Sequence, residues 1–168
     1  GSELLVTGVA TDSSTDVGYA KAAAYKPSTR TWRKLPDPPE FQNLEGSPQA
    51  VWTGTEMLVW GGGFHVAYTP GTDTWRTMSE DSPAPHGGGF AVVWTGDVML
   101  VWGGGCCAEV MSGGSAYDPK TNTWTSLPDS PLSARYTKGV WTGKELVIAG
   151  GESAEGETIF TSAAAYNP

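Results

Sequence analysis

A short pattern of apolar and polar positions recurs three times along the chain. In Ala91–Gly105 an apolar run ends at Trp94, a Thr-Gly-Asp turn follows, and a second apolar run, Val98–Trp102, ends in three glycines. Two such runs joined by a glycine-containing turn predict a β-hairpin. Similar hairpins are predicted in Ala50–Gly63 and Gly139–Gly151. Self-similarity of this kind indicates a repeat protein.

The segments between the hairpins also repeat. Ala67–Trp75 and Ala116–Trp124 each contain an Ala-Tyr pair, a proline turn and a Thr-Trp pair, and Ala22–Leu35 follows the same plan. Each segment predicts two further short strands around a turn in which proline fixes φ. Each repeat therefore spans roughly 40–50 residues and holds four strands, which is typical of propeller blades.

Lettering the strands a to d from the inside outward predicts fourteen strands. The ranges are an incomplete b-c-d unit at 1–39, complete units at 40–82 and 83–131, and an incomplete a-b-c unit at 132–168, all within one domain. The long polar stretch Thr11–Lys21 is predicted to be a loop. Apolar faces such as those of Trp52 and Trp94 need cover from neighbouring units, so we expect the units to stack face to face.

Composition supports an all-β fold and excludes some function classes. Gly 23 and Pro 12 are high counts, and no window has helical apolar spacing. The net charge of −8, without a basic cluster, argues against binding to nucleic acid or to an anionic membrane surface. No apolar run approaches the roughly 20 residues that a membrane-spanning helix needs.

These features resemble the kelch repeat. The paired glycines that follow an apolar second strand are Gly62-Gly63, Gly104-Gly105 and Gly150-Gly151. The Tyr and Trp marks of the third and fourth strands are Tyr25/Trp32, Tyr68/Trp75 and Tyr117/Trp124. The Trp-Thr-Gly hairpins look like those of bacterial kelch-type chains.

The resemblance implies a kelch-type β-propeller of which this chain holds about three and a half blades. Propellers typically need about 4–8 blades. We therefore expect either self-association as a homodimer that completes the ring, or a longer propeller of which this chain is a part. Either arrangement would cover strand edges that otherwise favour aggregation.

The resemblance also places the d–a and b–c loops on one face, which usually binds partners. The predicted d–a loops are Pro36–Gln49, Ser79–Gly89 and Pro128–Lys138. The predicted b–c loops are Val9–Lys21, Phe64–His65, Cys106–Gly114 and Glu152–Ser162. These loops vary in length and sequence while the strands hardly vary, as expected where a rigid scaffold carries function on loops.

Cys106 and Cys107 are adjacent and are the chain's only cysteines. They form either a strained vicinal disulfide, which would give a rigid apolar patch for a ligand, or two reduced thiols. An oxidised pair would favour an extracellular or periplasmic location, and the compartment is otherwise open.

Other candidate ligand-binding residues lie in the same loops. His65 and His86 invite a copper site with Cys106 or a tyrosine, but they lack close ligand spacing, so we expect no metal and no cofactor. Arg135, next to Tyr136, looks like the kelch family's polar residue that faces the central channel, where it could meet a carboxylate, with a surface salt bridge as the alternative. Phe41 and Phe64 are candidates for ligand stacking, whereas Phe90 is assigned to core packing.

The sequence therefore predicts a non-enzymatic binding module for a protein or carbohydrate ligand. One alternative is part of a kelch-like enzyme, such as a sugar epimerase or a copper-dependent oxidase. Another is a half-propeller whose role is assembly alone. Fold likeness by itself names no ligand.

Overall fold

A computed structural model describes residues 2–12, 17–39, 48–83, 87–106 and 109–168. These residues form sixteen β-strands and no helix, which confirms the all-β prediction. The part of the chain described here thus contains no helix of the length and hydropathy that crossing a bilayer would need. Fourteen strands make four antiparallel sheets, and two make a small ribbon.

The first and second sheets use the N-terminal half of the chain. The first sheet contains β1 (Leu4–Asp12), β2 (Val17–Lys26) and β3 (Thr31–Lys34) in that order. The second sheet contains β4 (Gln49–Trp52), β5 (Met57–Gly61), β6 (Phe64–Thr69) and β7 (Thr74–Thr77) in that order.

The third and fourth sheets follow. The third sheet has the order β8 (Ala91–Trp94), β9 (Met99–Trp102), β12 (Gly114–Asp118) and β13 (Thr123–Ser126). Its b–c connection contains the two-stranded ribbon β10 (Gly105–Cys106) and β11 (Glu109–Val110). The fourth sheet contains β14 (Gly139–Trp141), β15 (Leu146–Ala149) and β16 (Ala163–Tyr166) in that order.

The strand order agrees with the predicted units, whereas two predicted loops are wrong. The stretch Thr11–Lys21 is not one long loop, because β1 and β2 continue as a ladder as far as the pair Asp12 and Val17. Phe64 and His65 do not form a loop, because both belong to β6 and pair with β5. In each case, backbone pairing with a neighbouring strand extends further than local composition indicates.

The sheets approach one another most closely at their a strands. β8 lies beside β4 on one side and beside β14 on the other. Since the outer strands of neighbouring sheets lie further apart, the sheets diverge from this inner end. The a strands therefore form the inner edge of the assembly, as the lettering assumed.

Apolar side chains fill the space between successive sheets. Along β5, Met57 and Val59 point to the first sheet, whereas Leu58 and Trp60 point to the third. Successive side chains of a strand alternate between faces, so the b strand of a middle sheet serves two cores. A third core between the third and fourth sheets includes Trp102. Face-to-face stacking of the units is thus confirmed.

The c–d turns share one backbone conformation. Arg30, Asp73 and Asn122 occupy equivalent turn positions, with φ values of 55°, 57° and 57°. Asp and Asn adopt this left-handed region more readily than most residues. The turns bring Tyr and Trp of adjacent strands together, and the ring centroids of all three pairs are 5.0 Å apart.

Hydrogen bonds from the d-strand tryptophans connect neighbouring sheets. The indole N–H of Trp75 donates to the carbonyl oxygen of Pro36 at 2.9 Å, and that of Trp124 donates to the carbonyl oxygen of Ser79 at 2.9 Å. Each acceptor follows the d strand of the preceding sheet. These bonds therefore link the outer ends of neighbouring sheets.

Candidate functional site

The d–a and b–c connections meet at one end of the sheets, and we call this surface the loop face. Gly88 precedes β8, and Gly105 belongs to the ribbon that follows β9. Their backbone N–H and C=O groups bond reciprocally at 2.9 and 3.0 Å. Tyr136 and Glu152 pair in the same way across the fourth sheet, also at 2.9 and 3.0 Å. Loops from two different connections therefore form one continuous surface.

Backbone bonds also connect the loops of the third sheet to those of the fourth. Thr137 N–H donates to the Gly89 carbonyl at 2.7 Å, and Gly104 N–H donates to the Arg135 carbonyl at 2.9 Å. Satisfied backbone groups are the condition for an ordered irregular segment. The loop face is thus built on the scaffold and does not depend on side-chain contacts alone.

Tyr136 is the clearest ligand candidate on this face. Its half-buried ring lies against Gly89, where φ is +68° and an added Cβ would come 2.4 Å from Tyr136 Cδ1. Glycine at position 89 thus satisfies both the backbone conformation and the space that the ring needs. An open concavity beside the ring is also lined by Lys138, Glu152 and Ile159.

The chemistry of this concavity is mixed. Lys138, Glu152 and Ile159 are exposed, and Ile159 retains 69% of its accessible surface. An aromatic ring, an aliphatic side chain and two opposite charges can offer stacking, apolar contact and hydrogen bonds to one ligand. Sequence reasoning missed Lys138, Glu152 and Ile159. The apolar pair Ile159-Phe160 within an otherwise polar b–c loop was the available signal.

Arg135 is adjacent to Tyr136 in sequence but points into the protein. It is 1% exposed, and its guanidinium donates to the carbonyl oxygens of Ser133 and Gly150 at 2.9 and 3.2 Å. It also donates to Ser162 Oγ at 3.2 Å, and its Cζ lies 4.0 Å from the centroid of the Phe160 ring. These contacts connect the d–a loop to the b–c loop. Ligand binding by Arg135 stays a prediction, and its burial argues against it.

Phe64 and His65, two further candidate ligand-binding residues, belong to β6 of the second sheet. Phe64 is 2% exposed and packs in the core between the first and second sheets, which leaves no free ring face for stacking. His65 Nε2 lies 2.8 Å from Glu80 Oε1, a contact that becomes an ion pair when the imidazole is protonated. Phe90 is fully buried, which confirms its assignment to the core.

The remaining candidates fall on parts of the chain that are not described. Phe41, His86, Cys107 and the side chain of Cys106 lie outside the described residues. The vicinal disulfide and the pairing of two histidines therefore stay predictions. Among the described side chains, no three of His, Cys, Asp and Glu are grouped as a metal site would require.

Comparison with models of known protein families gives no match, and comparison with curated proteins gives no significant relative. The resemblance to kelch repeats therefore depends on the residues quoted above.

Proposed function

We propose that this chain is a kelch-type propeller segment that acts as a binding module through its loop face. Four antiparallel sheets, three of which meet at their a strands, support the propeller arrangement. Support for the kelch assignment comes from the Tyr–Trp pairs at 5.0 Å and from the glycines with positive φ that follow β5, β9 and β15, such as Gly104 and Gly151.

The observation that carries the binding role is the convergence of loops around Tyr136. The concavity there joins a half-buried aromatic ring to the charged groups of Lys138 and Glu152. Protein and carbohydrate ligands both use such a combination, because a ring face covers apolar C–H groups while nearby charged groups bond hydroxyls or amides. We favour a carbohydrate, since the concavity is open and combines an aromatic ring with charged groups.

A glycan array followed by NMR titration of the hit tests this proposal. The expected result is one glycan class whose affinity falls at least about tenfold in Tyr136→Ala, as loss of a stacking anchor would cause. Glu152→Gln should weaken binding less. The matched control is Lys144→Ala, at the exposed a–b turn on the opposite end of the same sheet. Binding that persists in Tyr136→Ala, or an array without any hit, would overturn the carbohydrate assignment.

A further inference from the structure

The outer edge of the fourth sheet is exposed beside an apolar pocket. In the other three sheets a d strand covers the c strand, whereas β16 has no described strand on its outer side. The pocket next to β16, here called the edge pocket, is lined by Trp102, Leu127, Pro128 and Tyr166 among others. It lies at the outer end of the space between the third and fourth sheets.

The equivalent space between the second and third sheets contains an indole. Trp124 lies with its ring centroid 4.4 Å from that of Trp60 and 5.0 Å from that of Tyr117. Its N–H donates to the carbonyl oxygen of Ser79. In the strand registers, Trp102 corresponds to Trp60.

The other two partners of the indole also have counterparts at the edge pocket. Tyr166 corresponds to Tyr117, because both pair with the first residue of their b strand. Pro128 corresponds to Ser79, since both come two residues after the end of a d strand. The edge pocket is thus lined by the counterparts of both aromatic neighbours of Trp124 and of the residue that accepts its hydrogen bond.

The partial exposure of Leu127, which lines the edge pocket, indicates that the pocket is not fully covered. Leu35 and Met78, which directly follow the d strands of the first two sheets, are each 1% exposed. Leu127 has the same position after β13 but is only half-buried. Trp75 and Trp124 pack against the clusters that contain Leu35 and Met78. An indole in the edge pocket would cover Leu127 in the same manner.

The charged residues of the other sheets indicate which residue should follow the tryptophan in a strand that pairs with β16. In the first two sheets, the residue after the d-strand Trp is an arginine that pairs with a glutamate just before the b strand. Arg33 Nη2 lies 2.9 Å from Glu3 Oε2, and Arg76 Nη2 lies 2.7 Å from Glu56 Oε2. The third sheet has neither charge, since Val98 and Thr125 occupy those positions. In these three sheets the glutamate and its basic partner thus occur together or are both absent.

The fourth sheet carries the acid alone. Glu145 comes just before β15, as Glu56 comes before β5. Among the described residues, Glu145 has no ion-pair partner, although the residues around it repeat those of the second sheet. The complementary base would come from a strand paired with β16.

We propose that the edge pocket and β16 bind an extended segment of the type Thr-Trp-Arg, which adds to the fourth sheet as an antiparallel strand. Its tryptophan pairs with Tyr166 and donates to Pro128, and its arginine lies opposite Ala165 and pairs with Glu145. Strand addition of this kind takes affinity from the backbone ladder and specificity from alternate side chains. This site is separate from the loop face, so it does not depend on the ligand bound there.

A peptide with the sequence of residues 72–79, blocked at both ends and labelled with a fluorophore, is the probe. Its anisotropy should rise with the concentration of the chain. Replacing its tryptophan by alanine should weaken binding at least about tenfold, because the indole fills the edge pocket. Replacing its arginine by threonine should weaken binding about two- to fivefold, the range of a partly exposed ion pair.

A Glu145→Val chain provides the matched control. With this chain the arginine and threonine peptides should bind equally, since valine reproduces the third sheet, where neither charge is present. Equal binding of the tryptophan and alanine peptides would overturn the proposal. So would a self-dimer of the chain that the peptide dissociates, because a second copy would then occupy the edge.

If binding of the peptide is too weak to be detected up to about 1 mM, a second measurement is made. Residues 28–37 are appended after Pro168, where they continue the Tyr-x-Pro turn in the same register as in the first sheet. This extended chain should unfold at a higher temperature than the same extension with alanine in place of its tryptophan. Equal unfolding temperatures would overturn the proposal. Glycan binding at the loop face is measured separately, so either proposal can fail without the other.

Discussion

Trp124 lies over Trp60 with ring centroids 4.4 Å apart, although the two residues belong to neighbouring sheets. Trp124 also donates its indole N–H to Ser79 of the preceding sheet. Trp124→Ala should therefore lower the free energy of unfolding by about 2–4 kcal/mol, through lost packing and a lost hydrogen bond. Chemical denaturation monitored by circular dichroism measures this change.

Trp32 is the matched control for this prediction. It has the same place in the first sheet and the same contact with its own tyrosine, but it is 61% exposed because no described sheet covers it. Trp32→Ala should cost less than about 1 kcal/mol. Equal losses for the two variants would contradict the idea that packing between sheets makes Trp124 important.

Gly104 has a position that no larger residue fits. Its φ is +73°, and an added Cβ would lie 2.5 Å from the carbonyl oxygen of Gly88. Gly104→Ala should lower the unfolding free energy by about 2–4 kcal/mol, because both the backbone conformation and the close contact must change. Thermal unfolding tests this. Gly113→Ala, with open space around its Cα, should change it by less than about 1 kcal/mol.

Ionisation of Tyr117 should make the free energy of unfolding depend on pH in the alkaline range. Burial raises its pKa above the usual value, partly offset by the nearby Arg76 guanidinium. The unfolded chain ionises this phenol near pH 10, while the folded chain keeps the proton. The stabilisation is thus complete below about pH 10 and is lost as the pH rises towards the folded pKa. Burial shifts the pKa of Tyr68 in the same direction.

The free energy of unfolding should therefore fall from about pH 10 upward. Tyr117→Phe should flatten this decline, and combination with Tyr68→Phe should flatten it further. Urea unfolding at several pH values between about 8 and 11 measures the slope. An unchanged slope in the double variant would show that other groups cause the alkaline loss.

Arg135 should matter for stability more than for ligand contact. Its buried guanidinium bonds Ser133, Gly150 and Ser162. Arg135→Ala should cost about 2–3 kcal/mol, because these polar groups lose their donors. Faster amide hydrogen exchange at Gly150 and Phe160 should accompany the loss. A variant of unchanged stability that fails to bind a ligand would instead support the channel-facing role expected from the sequence.

The strands of the four main sheets and their order were predictable because their signals are local. The Thr-Gly turns, the proline turns and the alternating apolar runs place fourteen strands in four sheets, as the structure has them. The glycines that follow the b strands, such as Gly103 and Gly150, have positive φ. The ribbon β10–β11 was not expected, since two-residue strands leave no periodicity to recognise.

Burial of the candidate site residues was not predictable from the sequence. Phe64 and Tyr136 both appeared as aromatic residues at the loops, yet Phe64 is in the core and Tyr136 lies beside an open concavity. Arg135 was expected either to face the central channel or to form a surface salt bridge, and it is buried. Each outcome depends on which chain segments from other repeats pack against the residue.

The sequence by itself determined the repeat, the strands and the turns, because propensity and alternation act between near neighbours in the chain. The tertiary structure alone decided which of the equivalent tryptophans is covered. Trp32 and Trp124 both follow a Thr-x-Thr turn and hold equivalent positions in their sheets, but among the described residues only Trp124 of the two meets a preceding sheet. Burial is a property of stacking between sheets, and Ser79, the acceptor from Trp124 in the preceding sheet, is 45 residues away in the sequence.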